Sequence, residues 1–258
     1  MEHTYWLKQT QDNPLFPDLL WNRPENRLHA GKLLIIGGSS AGFRAPADAY
    51  RYTVKAGIGT ARILLPDSLR KTVGEVFLEL GEYAPSTPSG SFSYKSFAEL
   101  LMHSQWADGV LLAGDVGRNS ETAQLLEYYS NKYHGQLTVT GDALDFFLDA
   151  PQSLLARDQT VLVCTTAQLQ KLAQGAKSAK PIIASLSMQN FAETLQFLAS
   201  IGQCAYVTTY NDQVFIAAEN QITSTPLKKL ELELAAAASV WHLQNPSKTL
   251  QALTTAIL

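Results

Sequence analysis

Cysteine is nearly absent from this sequence: only Cys164 and Cys204 occur. Both stand in runs that read as strands, so a disulfide scaffold is excluded and free buried thiols in a reducing cytoplasm are expected. Two cysteines and five scattered histidines are too few to suggest a metal site, and none is assigned. No apolar run reaches the length that spans a bilayer, and the first residues lack the basic and apolar regions of a secretory signal. Excess charge is also missing. A formal net charge of -3 leaves no basic footprint for nucleic acid or an anionic membrane, so neither is expected as a partner. Two familiar motifs are absent as well, G-x-G-x-x-G and the Walker A loop; Gly38 to Gly42 carry the letters of a G-x-S-x-G elbow, but Ser39 and Ser40 sit in a glycine loop and no histidine pattern identifies a partner. Simple hydride transfer on a Rossmann site loses its usual signature, and serine hydrolysis lacks an identifiable histidine partner.

What remains is an ordinary globular composition, 46% hydrophobic and 17% charged over 258 residues, enough for one sizeable α/β domain. Strands are expected at 32–37, 60–65, 108–113, 136–140, 160–164, 181–185, 204–209 and 212–217. Helices are expected at 46–57, 67–75, 95–104, 120–133, 142–148, 166–174, 189–201, 227–243 and 247–257. The alternation implies a mainly parallel central sheet with helices on both faces. Tyr210, Asn211 and Asp212 read as a hairpin turn, and the Pro/Ser/Gly-rich segment 85–94 reads as an exposed loop. Residues 1–30, with three prolines and several aromatics, read as an arm packed on the domain or on a neighbouring subunit; residues 31–258 form the domain.

The most informative stretch is KLLIIGGSSAGFRAPADAYRYTVKAGIGTARILLP, from Lys32 to Pro66. A buried strand ends in Gly37 and Gly38, a small polar loop begins at Ser39, and a helix follows with Pro46 in its first turn. Glycines before a helix N-terminus admit a ligand close to the backbone, and the free N–H groups favour anions. Spacing alone leaves a tight βα turn with no ligand equally open.

This stretch resembles the opening of the NAD(P)H-hydrate dehydratases of the ribokinase-like superfamily. Gly37, Gly38 and Ser39 match the family's GGS, and Ala45 and Pro46 its AP. The segment ADGVLLAGDVGRNSET resembles the family's D-hydrophobic-GPGLGR…T, with Gly114, Gly117 and Arg118 matching and Asp115 and Val116 replacing Pro and Leu. TVTGDALDFF resembles D-A-D-A-L, with Asp142 as the second aspartate. The resemblance implies a three-layer ribokinase-like α/β fold and a site for a hydrated dinucleotide built from Gly37, Gly38, Ser39, Ala45, Pro46, Gly114, Asp115, Gly117, Arg118 and Asp142. It implies ATP or ADP as phosphoryl donor, NAD or NADP as ligand, Mg as a possible companion, and a homo-oligomer. In that family a nucleotide-dependent phosphorylation and elimination repairs hydrated NADH or NADPH.

Two departures bear on activity. A carboxylate at Asp115 beside a phosphate-binding turn repels an anion unless it meets a cation or ribose hydroxyls. For Asp142, a plain N-cap role is an equal alternative. The second half-site departs further. Thr165 and Gln168 stand where the family has histidine and glutamate, Thr208 or Thr209 where it has a lysine, and no glycine follows Gly202, so the late G-x-G-D is missing. Thr165 or Thr166 then reads as a helix cap, and Glu219, Asp212 and Lys228 lie in the right region to be substitutes, although a lone charged loop residue is more often a solvated surface group. The catalytic residues are therefore left unassigned. The sequence points to a divergent dehydratase-like protein that binds a nucleotide or dinucleotide with weak or no turnover. An active kinase or dehydratase using other residues, and a non-enzymatic oligomer scaffold, are the alternatives.

Overall fold

The structure is a computed structural model that describes residues 5–74, 80–183 and 185–258. Its strands are β1 (Trp6–Lys8), β2 (Lys32–Gly37), β3 (Thr60–Pro66), β4 (Gly81–Ala84), β5 (Gly109–Gly114), β6 (Gln136–Val139), β7 (Thr160–Cys164), β8 (Ala205–Tyr210), β9 (Gln213–Ala218) and β10 (Gln221–Pro226). The helices are α1 (Pro17–Trp21), α2 (Arg44–Lys55), α3 (Arg70–Val73), α4 (Phe97–Trp106), α5 (Ser120–Lys132), α6 (Asp142–Asp145), α7 (Gln152–Leu155), α8 (Thr166–Gly175), α9 (Met188–Ala199), α10 (Glu231–Gln244) and α11 (Thr249–Ala256).

The strands form one sheet in the order β1-β10-β9-β8-β7-β6-β5-β2-β3-β4. From β8 through β4 all neighbours are parallel, while β9 pairs antiparallel with both β8 and β10. Continuous apolar runs such as Leu33–Ile36 suit strands covered on both faces. Alternate residues of each run enter different cores. Leu34, Ile36, Val110, Leu112 and Leu162 join α4, α5, α8 and α9, whereas Leu33, Ile35, Leu111, Val161 and Val163 meet α2, α10 and α11. The result is the three-layer α/β arrangement expected from the βα alternation.

Several local expectations need correction. Pro181, Ile182, Ile183 and Ser185 form no strand; Ala184 of that predicted run lies outside the described residues. Both edges of β7 are already taken by β6 and β8, so no ladder position is left. The apolar run instead buries Ile182 as irregular chain. The helix predicted from 227 begins only at Glu231, after Pro226 closes β10. The helix predicted over 67–75 is a 3-10 turn at Asp67–Leu69 followed by α3, and residue 75 lies outside the described residues. The segment 85–94 is not an exposed loop. Thr87, Ser91, Phe92 and Ser93 are buried, because Thr87 and Ser91 hydrogen-bond each other and Thr122 Oγ1 donates to Phe92 O at 2.7 Å.

Within residues 1–30, β1 adds a parallel strand to β10, and Leu19 is buried against Trp241, Ala252 and Ala256. Gln9 ties the strand down by donating to Thr225 Oγ1 at 3.0 Å and to Thr254 O at 2.7 Å.

The alanine-rich α10 lies under the middle of the sheet, against β5, β6 and β7, with α2 and α11 on its flanks. Small side chains allow this helix to be covered on nearly every side; Ala235, Ala236 and Ala238 are fully buried. Replacing Ala235 by Leu forces extra methylenes into a filled layer. Urea denaturation should show a loss of about 1–3 kcal/mol, and an unchanged midpoint would refute the tight packing.

Candidate functional site

The carboxyl ends of β2, β5 and β6 meet where the strand order passes from β5 to β2, the kind of position at which open α/β sheets bind ligands. Gly37 and Gly114 make the meeting possible. A Cβ on Gly37 would lie 2.5 Å from Gly114 O, and the Gly38 N–H donates to that same carbonyl at 3.0 Å. The ladder between β2 and β5 shifts register here, which turns Gly38 and Ser39 out of the sheet. Ser39 and Gly42 then close a tight turn by exchanging backbone hydrogen bonds of 2.9 Å. Ser40 fastens the loop to the 85–94 segment through Gly90 O and Ser89 O.

The residues singled out from sequence gather here, with one exception. Gly37, Gly38, Ser39, Ala45, Pro46, Gly114, Asp115, Gly117 and Asp142 share this end of the sheet, while Arg118 is exposed. Their contacts differ from those of an open anion site. Asp115, held at a positive φ of 58°, places Oδ2 2.7 Å from the Ala45 N–H and so occupies the N-terminus of α2. Phe43 at the cap position provides no side-chain cap, so the carboxylate supplies one from across the crevice. Asp142 accepts from the Val116 and Gly117 N–H groups at 3.4 and 3.3 Å. It is not the N-cap of the helix that follows: Gly141 holds that position, without a side-chain cap. The Asp142 carboxyl is pushed above the usual carboxylate range mainly by burial; the Val116 and Gly117 amides oppose this shift, and the Asp115 charge adds to it.

A third carboxylate went unassigned in the sequence reading. Glu231 opens α10, and its Oε1 accepts from Thr140 Oγ1 at 2.8 Å and from the Gly141 N–H at 3.1 Å. The sequence signal for it is an acid in the first turn of the long late helix, which shows only once that helix is seen to start at Glu231 and not at 227. Gln168 belongs to the same network. It completes a capping box with Thr165 at the start of α8 and donates Nε2 to Gly141 O and Asp145 Oδ1, both at 2.9 Å.

Beside this cluster, a groove of about 520 Å³ runs along Thr166, Thr209, the Asn211–Asp212 turn and Lys228. Asn211 and Asp212 both have positive φ, as a two-residue hairpin between β8 and β9 requires. Lys228 Nζ lies 3.0 Å from Asp212 Oδ1, an exposed pair. Lys229 also lines the groove, and its Nζ donates to Ile257 O at 2.7 Å. Glu219 lies elsewhere, accepting from the Thr249 N–H at 3.1 Å.

Two outcomes follow from the carboxylate contacts. Asp115→Ala removes the acceptor at the start of α2 and should cost about 1 kcal/mol in chemical denaturation; no change would mean that the cap is idle. Because the folded carboxyl of Asp142 holds its proton more tightly than the unfolded one, its contribution is present at low pH. That contribution is lost as pH rises through the folded value. Asp142→Asn should therefore be more stable than the parent at pH 7, with the gap closing as pH falls below the ordinary carboxylate range. A gap independent of pH would contradict this.

No protein-family model matches the chain, and no curated protein matches it. Solved structures do. A ribokinase-like superfamily protein from Enterococcus faecalis V583 aligns over 100% of this chain and 88% of its own, with a TM-score of 0.71 and 13% identity. The ADP/ATP-dependent NAD(P)H-hydrate dehydratase from Bacillus subtilis, co-crystallised with ATP/Mg2+, aligns over 95% of this chain and 86% of its own, with a TM-score of 0.65 and 14% identity. A phosphomethylpyrimidine kinase from Clostridium difficile 630 gives a TM-score of 0.53 and 10% identity, over 88% of this chain and 97% of its own. At these identities the likeness is one of architecture: the chain has a ribokinase-like fold.

Proposed function

We propose that this chain is a divergent relative of the NAD(P)H-hydrate dehydratases that binds a nucleotide or dinucleotide at the carboxyl ends of its strands and turns it over weakly or not at all. The observation that carries this reading is the occupancy of the backbone donors by the chain's own acids. Asp115 takes the Ala45 amide, Asp142 takes the Val116 and Gly117 amides, and Glu231 takes the Gly141 amide. Phosphoryl transfer needs such donors aimed at the charge that develops on the transferring group. Here an incoming phosphate must displace a carboxylate to reach any of these amides.

The same acids suit the uncharged part of a nucleotide. Carboxylates accept hydrogen bonds from ribose hydroxyls, which gives Asp115 and Asp142 a role in holding NAD or NADP. ATP or ADP fits the neighbouring groove, where Thr166, Thr209 and Lys228 offer hydroxyls and one ammonium. A protein-only Mg cage does not fit: among the described residues no group of three or more His, Cys, Asp or Glu is placed to hold a metal. Mg would arrive with the nucleotide and take one or two carboxylates, supplying charge neutralisation at the phosphates. The co-crystallisation of the Bacillus subtilis enzyme with ATP/Mg2+ supports ATP and Mg as ligands. A cytoplasmic homo-oligomer, which the sequence resemblance implies, is part of this proposal.

One observation favours an active alternative. Glu231 opens the late helix, the place where the resembled family carries its base, and its carboxylate faces the same crevice. In that reading Glu231 takes the proton from the substrate hydroxyl.

Calorimetric titration with ATP, ADP, NADH and NADPH in the presence of Mg2+, followed by an assay for NADPH restored from its hydrate, separates these readings. Saturable binding with negligible product is expected. No binding of any of the four would overturn the proposal, and product formation abolished by Glu231→Gln would establish the active alternative.

A further inference from the structure

At the opposite edge of the sheet, where the parallel strands begin, a half-open cavity of about 340 Å³ is lined by residues at the starts of β2, β5 and β6 and at the end of α10. Gly31, at a φ of 83°, lets the helix end close over the strands; a Cβ there would lie 2.0 Å from Leu243 Cδ2. This place is remote from the nucleotide crevice, which lies at the other ends of the same strands.

Two buried side chains lining the cavity carry polar atoms that nothing in the described chain satisfies. Gln136 is 5% exposed; its Nε2 donates to Ser239 O at 3.0 Å, and its Oε1 has no partner. His242 is 1% exposed; its Nε2 lies 3.3 Å from Thr249 Oγ1, and its Nδ1 has no partner. Buried polar atoms are satisfied in the great majority of cases, so two orphans on one cavity point to a ligand. Burial lowers the His242 pKa to about 4, so at neutral pH the ring brings no positive charge. The tautomer that donates Nε2–H to Thr249 leaves Nδ1 an acceptor.

The cavity lining includes one carboxylate, Asp108, and two imidazoles, His29 and His242. Asp108 stands at its rim, accepts from the Lys32 N–H at 2.8 Å through Oδ2, and forms no ion pair among the described residues. The 14-residue α10 ends on the same wall, and the negative end of a helix dipole favours a cation. Acceptors from a carboxylate, an amide and an imidazole match the three donors of an ammonium group.

We propose that this cavity binds a small organic cation carrying a primary ammonium group, held by Asp108, Gln136 and His242. The site does not depend on the nucleotide reading of the crevice.

The test is an NMR titration of the full chain with putrescine, set against 1,4-butanediol and succinate as neutral and anionic probes of the same carbon count. Putrescine should produce saturable shifts at the amides of Gly31, Gly109 and Leu243, and the other two probes should not. Asp108→Asn, a surface change, should weaken putrescine binding about tenfold, the loss expected when a charge-assisted hydrogen bond is removed. Gln136→Leu should weaken it to a similar degree. The proposal is overturned if putrescine gives no saturable shift at millimolar concentration or if all three probes bind alike. It is also overturned if Asp108→Asn binds as tightly as the parent, or if the shifts fall only at Gly38 and Gly117.

Discussion

Carboxylates on backbone amides organise the end of this sheet. A parallel α/β fold gathers helix N-termini and strand ends along one edge, and the exposed N–H groups there need acceptors. In this chain the acceptors are covalently supplied. Asp115 reaches across to α2, Asp142 covers the turn after β5, and Glu231 links the start of α10 to the turn after β6. Each contact joins two elements that are distant in sequence, so the crevice is held together by the groups that decide what it can bind.

The helix α10 couples this crevice to the rest of the molecule. Its first residue holds the β6 turn, its alanines fill the layer beneath the central strands, and its last turn closes the cavity at the opposite edge. One helix spanning the sheet from edge to edge brings an acid to one end and a neutral buried histidine to the other. The alanine run is what allows so close a passage, because larger side chains would hold the helix away from β5, β6 and β7.

Much of the architecture was legible in the sequence. The four-residue apolar run before Gly37, the similar run before Gly114 and the Asn211–Asp212 turn all mark elements that form where expected. The errors have a common cause. The run at 181–183 has strand composition, but both sides of the preceding strand β7 are taken by β6 and β8, and the 85–94 segment has loop composition but a covered position. Composition reports what a segment tolerates, and only its neighbours decide whether that tolerance is used. Short strands such as β1 and β4 were invisible for the same reason, since three or four residues carry too little pattern to stand out.

The candidate site shows the same division more sharply. By itself the sequence determined the alternation of strands and helices and the Gly37–Gly38 turn at the end of β2, because these follow from local sterics and periodicity, while the list of residues around that turn is what the family resemblance implies. It could not decide what Asp115 and Asp142 do, because their partners lie 70 and 25 to 26 residues away. Nor could it find Glu231, whose partners Thr140 and Gly141 are 91 and 90 residues distant. Hydrogen bonds are settled at about 3 Å, and only the tertiary structure brings residues so far apart in sequence within that reach.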